Sequence, residues 1–126
     1  MSKQVVATPS APAAVGPYSQ AIVSNGLVFC SGQIPLDPSS GELVGGTIAD
    51  QTRRCMENLA AVLDAAGTSL ANAVKVTGFL TDMGDFAEFN EAYGEFFGDD
   101  PPARATFAVA ALPKGAEVEV ECIAHV

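Results

Sequence analysis

The chain has 126 residues, of which 48% are hydrophobic and 17% charged, and its formal net charge at pH 7 is −9. This length suits one domain that buries its own core, so we predict a single domain over residues 1–126. The acidic excess disfavours nucleic acid as a partner, because it repels a phosphate backbone. No apolar run approaches the roughly 20 residues of a membrane-spanning helix, so no membrane association is expected.

The three cysteines, Cys30, Cys55 and Cys122, are odd in number and far apart. There is no Cys-x-x-Cys pattern, and the first residues show neither a long apolar segment nor a signal-peptide cleavage pattern. We therefore expect buried, reduced thiols and a cytoplasmic location. The apolar composition also favours a homo-oligomer, since a small monomer rarely exposes a large apolar surface.

The first half of the chain predicts a β-hairpin followed by a helix. Asn25-Gly26 is a strong hairpin signal, and it separates two β-prone segments at residues 20–24 and 27–31. Residues 47–66 carry apolar side chains at spacings of three and four, which predicts an amphipathic helix. Gly67 is placed to end that helix in a left-handed conformation.

The next segment predicts a strand and a second helix. Residues 74–80 are mostly apolar and predict a central strand. Asp82 is a predicted N-cap, with Asp85 in a position that resembles a capping box. The helix that follows carries a stripe of aromatic residues that we predict to be core: Phe86, Phe89, Tyr93, Phe96 and Phe97.

The last quarter of the chain predicts a second hairpin, with strands at residues 106–111 and 117–121 and a Pro-Lys-Gly turn between them. The second strand alternates glutamate and valine, which is typical of a strand with one polar face. A register that pairs Phe107 with Val120 would put Arg104 on the face of the three glutamates. The expectation is a shallow polar site in which a single arginine faces carboxylates.

The order of the predicted elements indicates an α+β fold. A short first strand precedes the first hairpin, and strands outnumber helices. We expect a mixed or antiparallel β-sheet with two helices packed on one face.

The chemistry available to such a site is modest. The one histidine, His125, lies close to the last residue, and no His/Cys cluster or glycine-rich nucleotide motif is present, so we expect no metal and no organic cofactor. Arg104 suits a bidentate contact with a carboxylate, and a glutamate can position or deprotonate water. This set fits the addition of water to an electrophilic carbon. A solvated strand face and a structural ion pair are the alternative interpretations of these residues.

Several separate segments form a recognisable pattern: residues 13–21 (AAVGPYSQA), 31–35 (SGQIP), 58 with 65–67 (AAG), 74–77 (VKVT), 85–90 (DFAEFN), and 102–104 with 112–121 (PAR and LPKGAEVEVE). In this order they closely resemble the RidA (YjgF) family. The resemblance runs from about Val5 to Ala124. It implies a chorismate-mutase-like α+β subunit and a homotrimer with a central barrel, with sites at the subunit interfaces.

The resemblance also implies an enzyme that hydrolyses reactive 2-imino acids, such as 2-iminopropanoate and 2-iminobutanoate, to 2-oxo acids and ammonia. In that family pattern Arg104 would clamp the substrate carboxylate and Glu119 would hold the attacking water. Tyr18 would line the cleft, and the main chain of Gly32 and Thr106 would bind the imino nitrogen or oxo group. Thr106 is a departure, because many relatives carry cysteine at this position.

Other functions are compatible with the same residues. A regulatory trimer could use the same cleft and arginine to bind 2-oxo acids without turnover, although the presence of both Arg104 and Glu119 favours an enzyme. Ribonuclease or translation-inhibitor activity, ascribed to some relatives, is disfavoured by the charge of −9 and the lack of a basic stripe. Chaperone-like binding of unfolded chains would need exposed apolar surface.

Overall fold

The computed structural model describes residues 2–126, which form six strands and two helices around one sheet. In chain order these are β1 (Gln4–Val6), β2 (Ala21–Ser24), β3 (Leu27–Gln33), α1 (Ile48–Ala65), β4 (Ala73–Leu80), α2 (Phe86–Gly94), β5 (Ala103–Ala108) and β6 (Val118–His125). The strands lie side by side in the order β1-β2-β3-β6-β4-β5. β4 and β5 pair in parallel and the other neighbours are antiparallel, so the predicted mixed α+β sheet is confirmed.

The first hairpin forms as predicted. Asn25 has φ 54° and Gly26 has φ 80°, which are the two positive values that a tight hairpin turn requires. The turn fixes the register of β2 against β3, in which Ala21 is opposite Cys30.

α1 begins with a capping box. The Thr47 hydroxyl accepts a hydrogen bond from the Asp50 amide at 3.1 Å, and the Asp50 carboxylate accepts one from the Thr47 amide at 3.1 Å. The helix ends before Gly67, whose φ of 86° matches the predicted left-handed stop. Burial of each larger apolar side chain stabilises the fold by about 1.5–3 kcal/mol. The fully buried apolar side chains of α1 are Cys55, Met56, Leu59, Val62 and Leu63.

Asp82 is an N-cap as predicted, although of a short 3₁₀ turn that precedes the second helix, and the predicted capping box with Asp85 is wrong. The Asp82 carboxylate accepts a hydrogen bond from the amide of Gly84 at 2.8 Å, which stabilises a short 3₁₀ turn over Met83–Asp85. α2 starts after this turn, and its cap residue Asp85 makes no side-chain capping bond. A local bond from an aspartate to the amide two residues later competes with a regular helix start.

The predicted hairpin in the last quarter is also wrong. β5 and β6 do not pair with each other, because β4 lies between them and bonds to both. α2 forms the crossover between β4 and β5, and such a connection allows parallel pairing. Alternating polarity showed that β6 has one polar face, but it contains no information about which strand lies beside it.

The observed register reverses the predicted faces of β5. Arg104 lies in a row with Val76 and Cys122, on the face that the helices cover. Glu119 lies in a row with Phe107, on the opposite face. Arg104 and Glu119 of one chain therefore lie on opposite sides of the sheet. Phe107, which the predicted register paired with the buried Val120, is 46% exposed.

The core fills the space between α1, α2 and one sheet face. No helix of residues 2–126 covers the other face, on which Glu119 lies. Neighbouring strands also contribute apolar side chains to it: Ile22, Phe29, Phe79, Phe107 and Ile123. Phe29 is 43% exposed, and the rings of Phe79 and Phe107 meet edge to face at 5.3 Å. We call this the open sheet face.

All three cysteines are buried and free, as expected for thiols. Neither helix in residues 2–126 combines the length and apolar character needed to cross a bilayer.

Candidate active site

A cleft of about 500 Å³ lies beside β3 and β6. It brings together three of the predicted site residues, Tyr18, Gly32 and Glu119, and it also includes Glu121. Much of the remaining wall is apolar, from Pro12, Ala13, Val15, Ile34, Leu36 and Pro113. The cleft thus combines two carboxylates with an apolar wall, a common composition for a small-molecule site.

A bulge in β3 shapes one side of the cleft. The pairing of β3 with β6 shifts between Cys30 and Gln33, the stretch that contains Gly32. The hydroxyl of Ser31 donates a hydrogen bond to the carbonyl of Ser19 at 2.6 Å, which ties the bulge to the loop that carries Tyr18. Bulges occur often beside active sites because they change the direction of side chains and backbone groups.

The buried side chain of Gln20 holds the other wall. Its Oε1 accepts a hydrogen bond from the Thr8 amide at 2.6 Å, and its Nε2 donates to the carbonyls of Thr8 at 3.1 Å and Pro12 at 2.8 Å. The hydroxyl of Tyr18 accepts a bond from the Val15 amide at 3.3 Å. These bonds order a proline-rich segment that would otherwise have few regular contacts.

Asn58 of α1 secures the segment that follows the bulge. It is fully buried, and its Nδ2 donates to the carbonyls of Ile34 at 3.3 Å and Leu36 at 3.0 Å. Its Oδ1 accepts a bond from Arg54 Nε at 3.1 Å. A buried amide whose donors and acceptor are used fixes the position of this wall.

Glu119 is half-buried in the cleft, and burial together with the nearby charge of Glu121 raises its pKa above the ordinary glutamate value. A carboxyl group with a raised pKa can accept a proton from water and later return it. The cation on the cleft lining is Lys114, whose Nζ donates to the carbonyl of Gly41 at 3.2 Å. Within residues 2–126, no group of three metal-ligating side chains is arranged to hold an ion.

Arg104 lies outside this cleft, against α2. Its guanidinium carbon is 4.8 Å from the ring centre of Tyr93, 5.5 Å from that of Phe89 and 5.6 Å from that of Phe86. Such contacts stabilise the charge by cation–π attraction. None of the ion pairs formed by residues 2–126 involves Arg104, so its donors can bind a carboxylate from outside the chain.

Thr106 lies on the same face as Arg104, two residues further along β5. Among residues 2–126, its Oγ1 is buried without a hydrogen-bond partner, as are Tyr93 OH and Asn90 Oδ1 on α2. Burial raises the pKa of Tyr93 to about 12 despite the opposing charge of Arg104. β5 forms an edge of the sheet, so the backbone on its outer side has no neighbouring strand in the described chain.

The predicted site residues therefore form two separate groups. Tyr18, Gly32 and Glu119 share the cleft, while Arg104 and Thr106 lie together on the helix-covered side. The aromatic stripe of α2 was predicted as core. The rings at positions 86, 89 and 93 of this stripe also contact the guanidinium of Arg104. Gln20 and Asn58 were not predicted as supports of the cleft, because nothing in a single sequence marks an amide as buried.

The fold and the two groups of predicted site residues define a small α+β protein with a cleft beside the central strands of its sheet and an unpaired arginine on an edge strand. The sequence matches the endoribonuclease L-PSP family over residues 8–126, and the chain belongs to that family. A RutC family protein from Pyrococcus horikoshii is 51% identical over 123 residues, covering 98% of each chain. The human 2-iminobutanoate/2-iminopropanoate deaminase is 45% identical over 122 residues, which are 97% of this chain and 89% of that protein.

Solved structures show the same fold. A Rid family protein from Yersinia pestis superposes with a TM-score of 0.96 at 48% identity, covering 99% of this chain and 100% of the other. RidA from an Antarctic Psychrobacter gives 0.94 at 45% identity, with 98% and 99% covered. TdcF from E. coli, solved with bound serine, gives 0.93 at 41% identity, with 98% of each covered. The predicted resemblance to RidA and to imine deaminases is confirmed.

Proposed function

We propose that this protein hydrolyses 2-imino acids, such as 2-iminopropanoate and 2-iminobutanoate, to 2-oxo acids and ammonia. The observation that carries the proposal is the combination of an unpaired Arg104 with a half-buried Glu119 of raised pKa. The first suits the carboxylate of an imino acid, and the second suits a water molecule. The deaminase names of relatives at 45–48% identity support the same reaction.

In the proposed mechanism Arg104 binds the substrate carboxylate through paired hydrogen bonds. Glu119 holds a water molecule, removes one proton as the oxygen attacks the imine carbon, and returns that proton to the departing nitrogen. The hydroxyl proton of the resulting tetrahedral intermediate then passes to the nitrogen as the C–N bond breaks and the carbonyl forms, and ammonia leaves. The imine carbon is already electrophilic, so proximity and one guided proton supply much of the rate, and the chemistry needs no cofactor. The main chain of Gly32 and Thr106 would bind the nitrogen or oxo group, and Tyr18 would line the cleft.

Arg104 and Glu119 of one chain lie on opposite sides of the sheet, so the proposed site requires two chains. We propose that the single-domain subunits form a homotrimer in which the open sheet faces line a central barrel. The exposed rings of Phe29 and Phe107 support this assembly, because apolar surface of this kind is usually covered by another chain. Each site would then combine Glu119 of one subunit with Arg104 of its neighbour.

The test is release of ammonia and 2-oxobutanoate from 2-iminobutanoate that is generated enzymatically in the assay. We expect the parent protein to accelerate release, Arg104→Ala to abolish acceleration, and Glu119→Gln to lower kcat more than it weakens binding of 2-oxobutanoate. Sedimentation verifies that the variants keep the parent's assembly. Full activity of Glu119→Gln would contradict the role given to the water-holding carboxylate.

The second candidate is a regulatory trimer that binds 2-oxo acids or amino acids without turnover. The bound serine in TdcF favours it, since that relative accommodates a small carboxylate ligand. A parent protein that binds 2-oxobutanoate but leaves 2-iminobutanoate decay unchanged would establish this function instead.

Salt-sensitive RNA binding, which the charge of −9 disfavours, would favour the endoribonuclease activity in the family's name. A cytoplasmic location stays a prediction, based on three cysteines that are free and buried.

A further inference from the structure

The side chain of Glu119 lies directly against Gly32, on the side where any other residue would carry a side chain. A Cβ built on Gly32 would collide with Oε2 of Glu119, and it would lie 2.9 Å from Cδ and 3.2 Å from Cγ. The clash involves only the outer half of the glutamate side chain. The carboxylate thus occupies space that exists because position 32 has no Cβ.

The backbone at position 32 does not itself require glycine. Positive φ values occur at Gly26, Gly41, Gly46, Gly67 and Gly115, and Gly32 is not among them. An alanine can therefore adopt the φ of Gly32, and the three atoms nearest to a Cβ built there all belong to Glu119. The consequence of a side chain at position 32 would therefore fall on Glu119.

The other glycines make a useful contrast. Gly78 is opposed by the ring of Phe89, with 2.8 Å from a built Cβ to Cζ, so a side chain there would disturb core packing. Gly45 has nothing within 4 Å and lies outside the cleft. Gly32 differs from both, because the atoms that oppose it belong to a side chain with an expected catalytic role.

We propose that Gly32 is a positioning residue, whose missing side chain lets the Glu119 carboxylate lie against the β3 bulge where it can hold the attacking water. This inference rests on the proposed imine hydrolysis. It assigns Gly32 a steric role in addition to any main-chain contact with the substrate. The bulge between Cys30 and Gln33 brings the glycine beside β6, and the carboxylate of Glu119 fills the space.

The test is a double-mutant cycle. Gly32→Ala should lower kcat by about tenfold to a hundredfold, the loss expected when a reacting group moves by about 1 Å. Binding of 2-oxobutanoate should change less than about threefold, because Arg104 is untouched. Gly45→Ala is the matched control and should behave as the parent.

The second arm of the cycle uses Glu119→Asp. Aspartate is shorter by one methylene group, so it lacks the outermost atom, which would collide with a Cβ at position 32, and keeps only the more distant contact at Cγ. Gly32→Ala should therefore cost much less in the Glu119→Asp background than in the parent, and this non-additivity identifies Glu119 as the route of the effect. Equal losses in both backgrounds would overturn the inference, and so would a loss of stability as large as that of a core substitution.

A measurement that needs no turnover separates this inference from the proposed reaction. The titration of the Glu119 carboxyl can be followed by carbon-13 NMR and assigned with Glu119→Gln. The titratable groups that line the cleft with it are Tyr18, Lys114 and Glu121. In Gly32→Ala the pKa of Glu119 should move toward the ordinary glutamate value, since the displaced carboxylate is better solvated. An unchanged titration would refute the steric role even if the parent hydrolyses no imine.

Discussion

Two inactive variants of this protein should restore each other's activity when they assemble together. Arg104→Ala leaves Glu119 intact, and Glu119→Gln leaves Arg104 intact. These two residues lie on opposite sides of the sheet of one chain, so a site that uses both must take them from different chains. A mixed oligomer of the two variants therefore contains some interfaces with both residues.

The size of the effect follows from counting interfaces. In an equal mixture with random assembly, a subunit with intact Glu119 meets a neighbour with intact Arg104 at about one quarter of the sites in a symmetric ring. This fraction does not depend on the number of subunits. Co-expressed and co-purified variants, carrying different tags, should thus show about a quarter of the parent's rate of 2-oxobutanoate release.

The matched control is a mixture of the parent with the Arg104→Ala/Glu119→Gln double variant. Sites shared between chains give about one quarter of the parent rate in this mixture also, whereas sites within one chain give about one half. No activity in the mixture of single variants, together with one half in the control, would refute the assignment of Arg104 and Glu119 to different subunits.

Three further predictions follow from the same geometry. Tyr93→Leu removes the ring nearest to Arg104 and should weaken binding of 2-oxobutanoate about 5- to 30-fold, the equivalent of about 1–2 kcal/mol of cation–π attraction. Tyr93→Phe keeps a ring and should bind as the parent does. If calorimetry gives Tyr93→Leu the affinity of the parent, the role of the ring is contradicted. The raised pKa of Glu119 means that its ionisation opposes folding, so stability declines as pH rises from the ordinary glutamate pKa through the folded-state value. Glu119→Gln should accordingly stabilise the protein against urea at pH 7 but not at pH 4, and the same difference at both pH values would count against the pKa assignment. Phe107→Asp should dissociate the proposed trimer in sedimentation experiments, at a cost of about 2 kcal/mol of lost burial per subunit. An assembly that stays intact would show that the open sheet face is not the interface.

The parts of the fold that local chemistry decides were predictable from the sequence. Asn25-Gly26 specifies a tight turn because both positions must take positive φ, and the periodicity of residues 47–66 specifies a helix with one buried face. Each of these signals acts over a few residues, so no knowledge of distant partners is needed.

The neighbours of β5 were not predictable in this way. Pairing between distant strands depends on how α2 returns the chain to the sheet, and the alternation within β6 is compatible with any neighbour. The error in pairing also reversed the face assigned to Arg104. The bulge at Gly32 was missed for a related reason, since a glycine in a β-prone segment does not reveal which carboxylate will pack against it.

The separation of Arg104 from Glu119 within one chain has a chemical consequence. An arginine within about 4–6 Å of a carboxyl group commonly lowers its pKa by 1–3 units and keeps it ionised. In the described chain, two effects raise the pKa of Glu119: its own burial and the charge of Glu121. Arg104 is stabilised instead by the rings of Phe86, Phe89 and Tyr93, which leave its donors unoccupied.

An enzyme that must bind a carboxylate and also move a proton needs an arginine with free donors and a glutamate of raised pKa at the same time. If Arg104 and Glu119 were neighbours in the folded chain, they would neutralise each other, and substrate would have to break an ion pair before it could bind. Placing them on opposite sides of the sheet prevents that pairing within one chain. Assembly can then bring them to the two ends of a substrate whose own carboxylate satisfies the arginine, so the glutamate keeps the raised pKa that proton transfer requires.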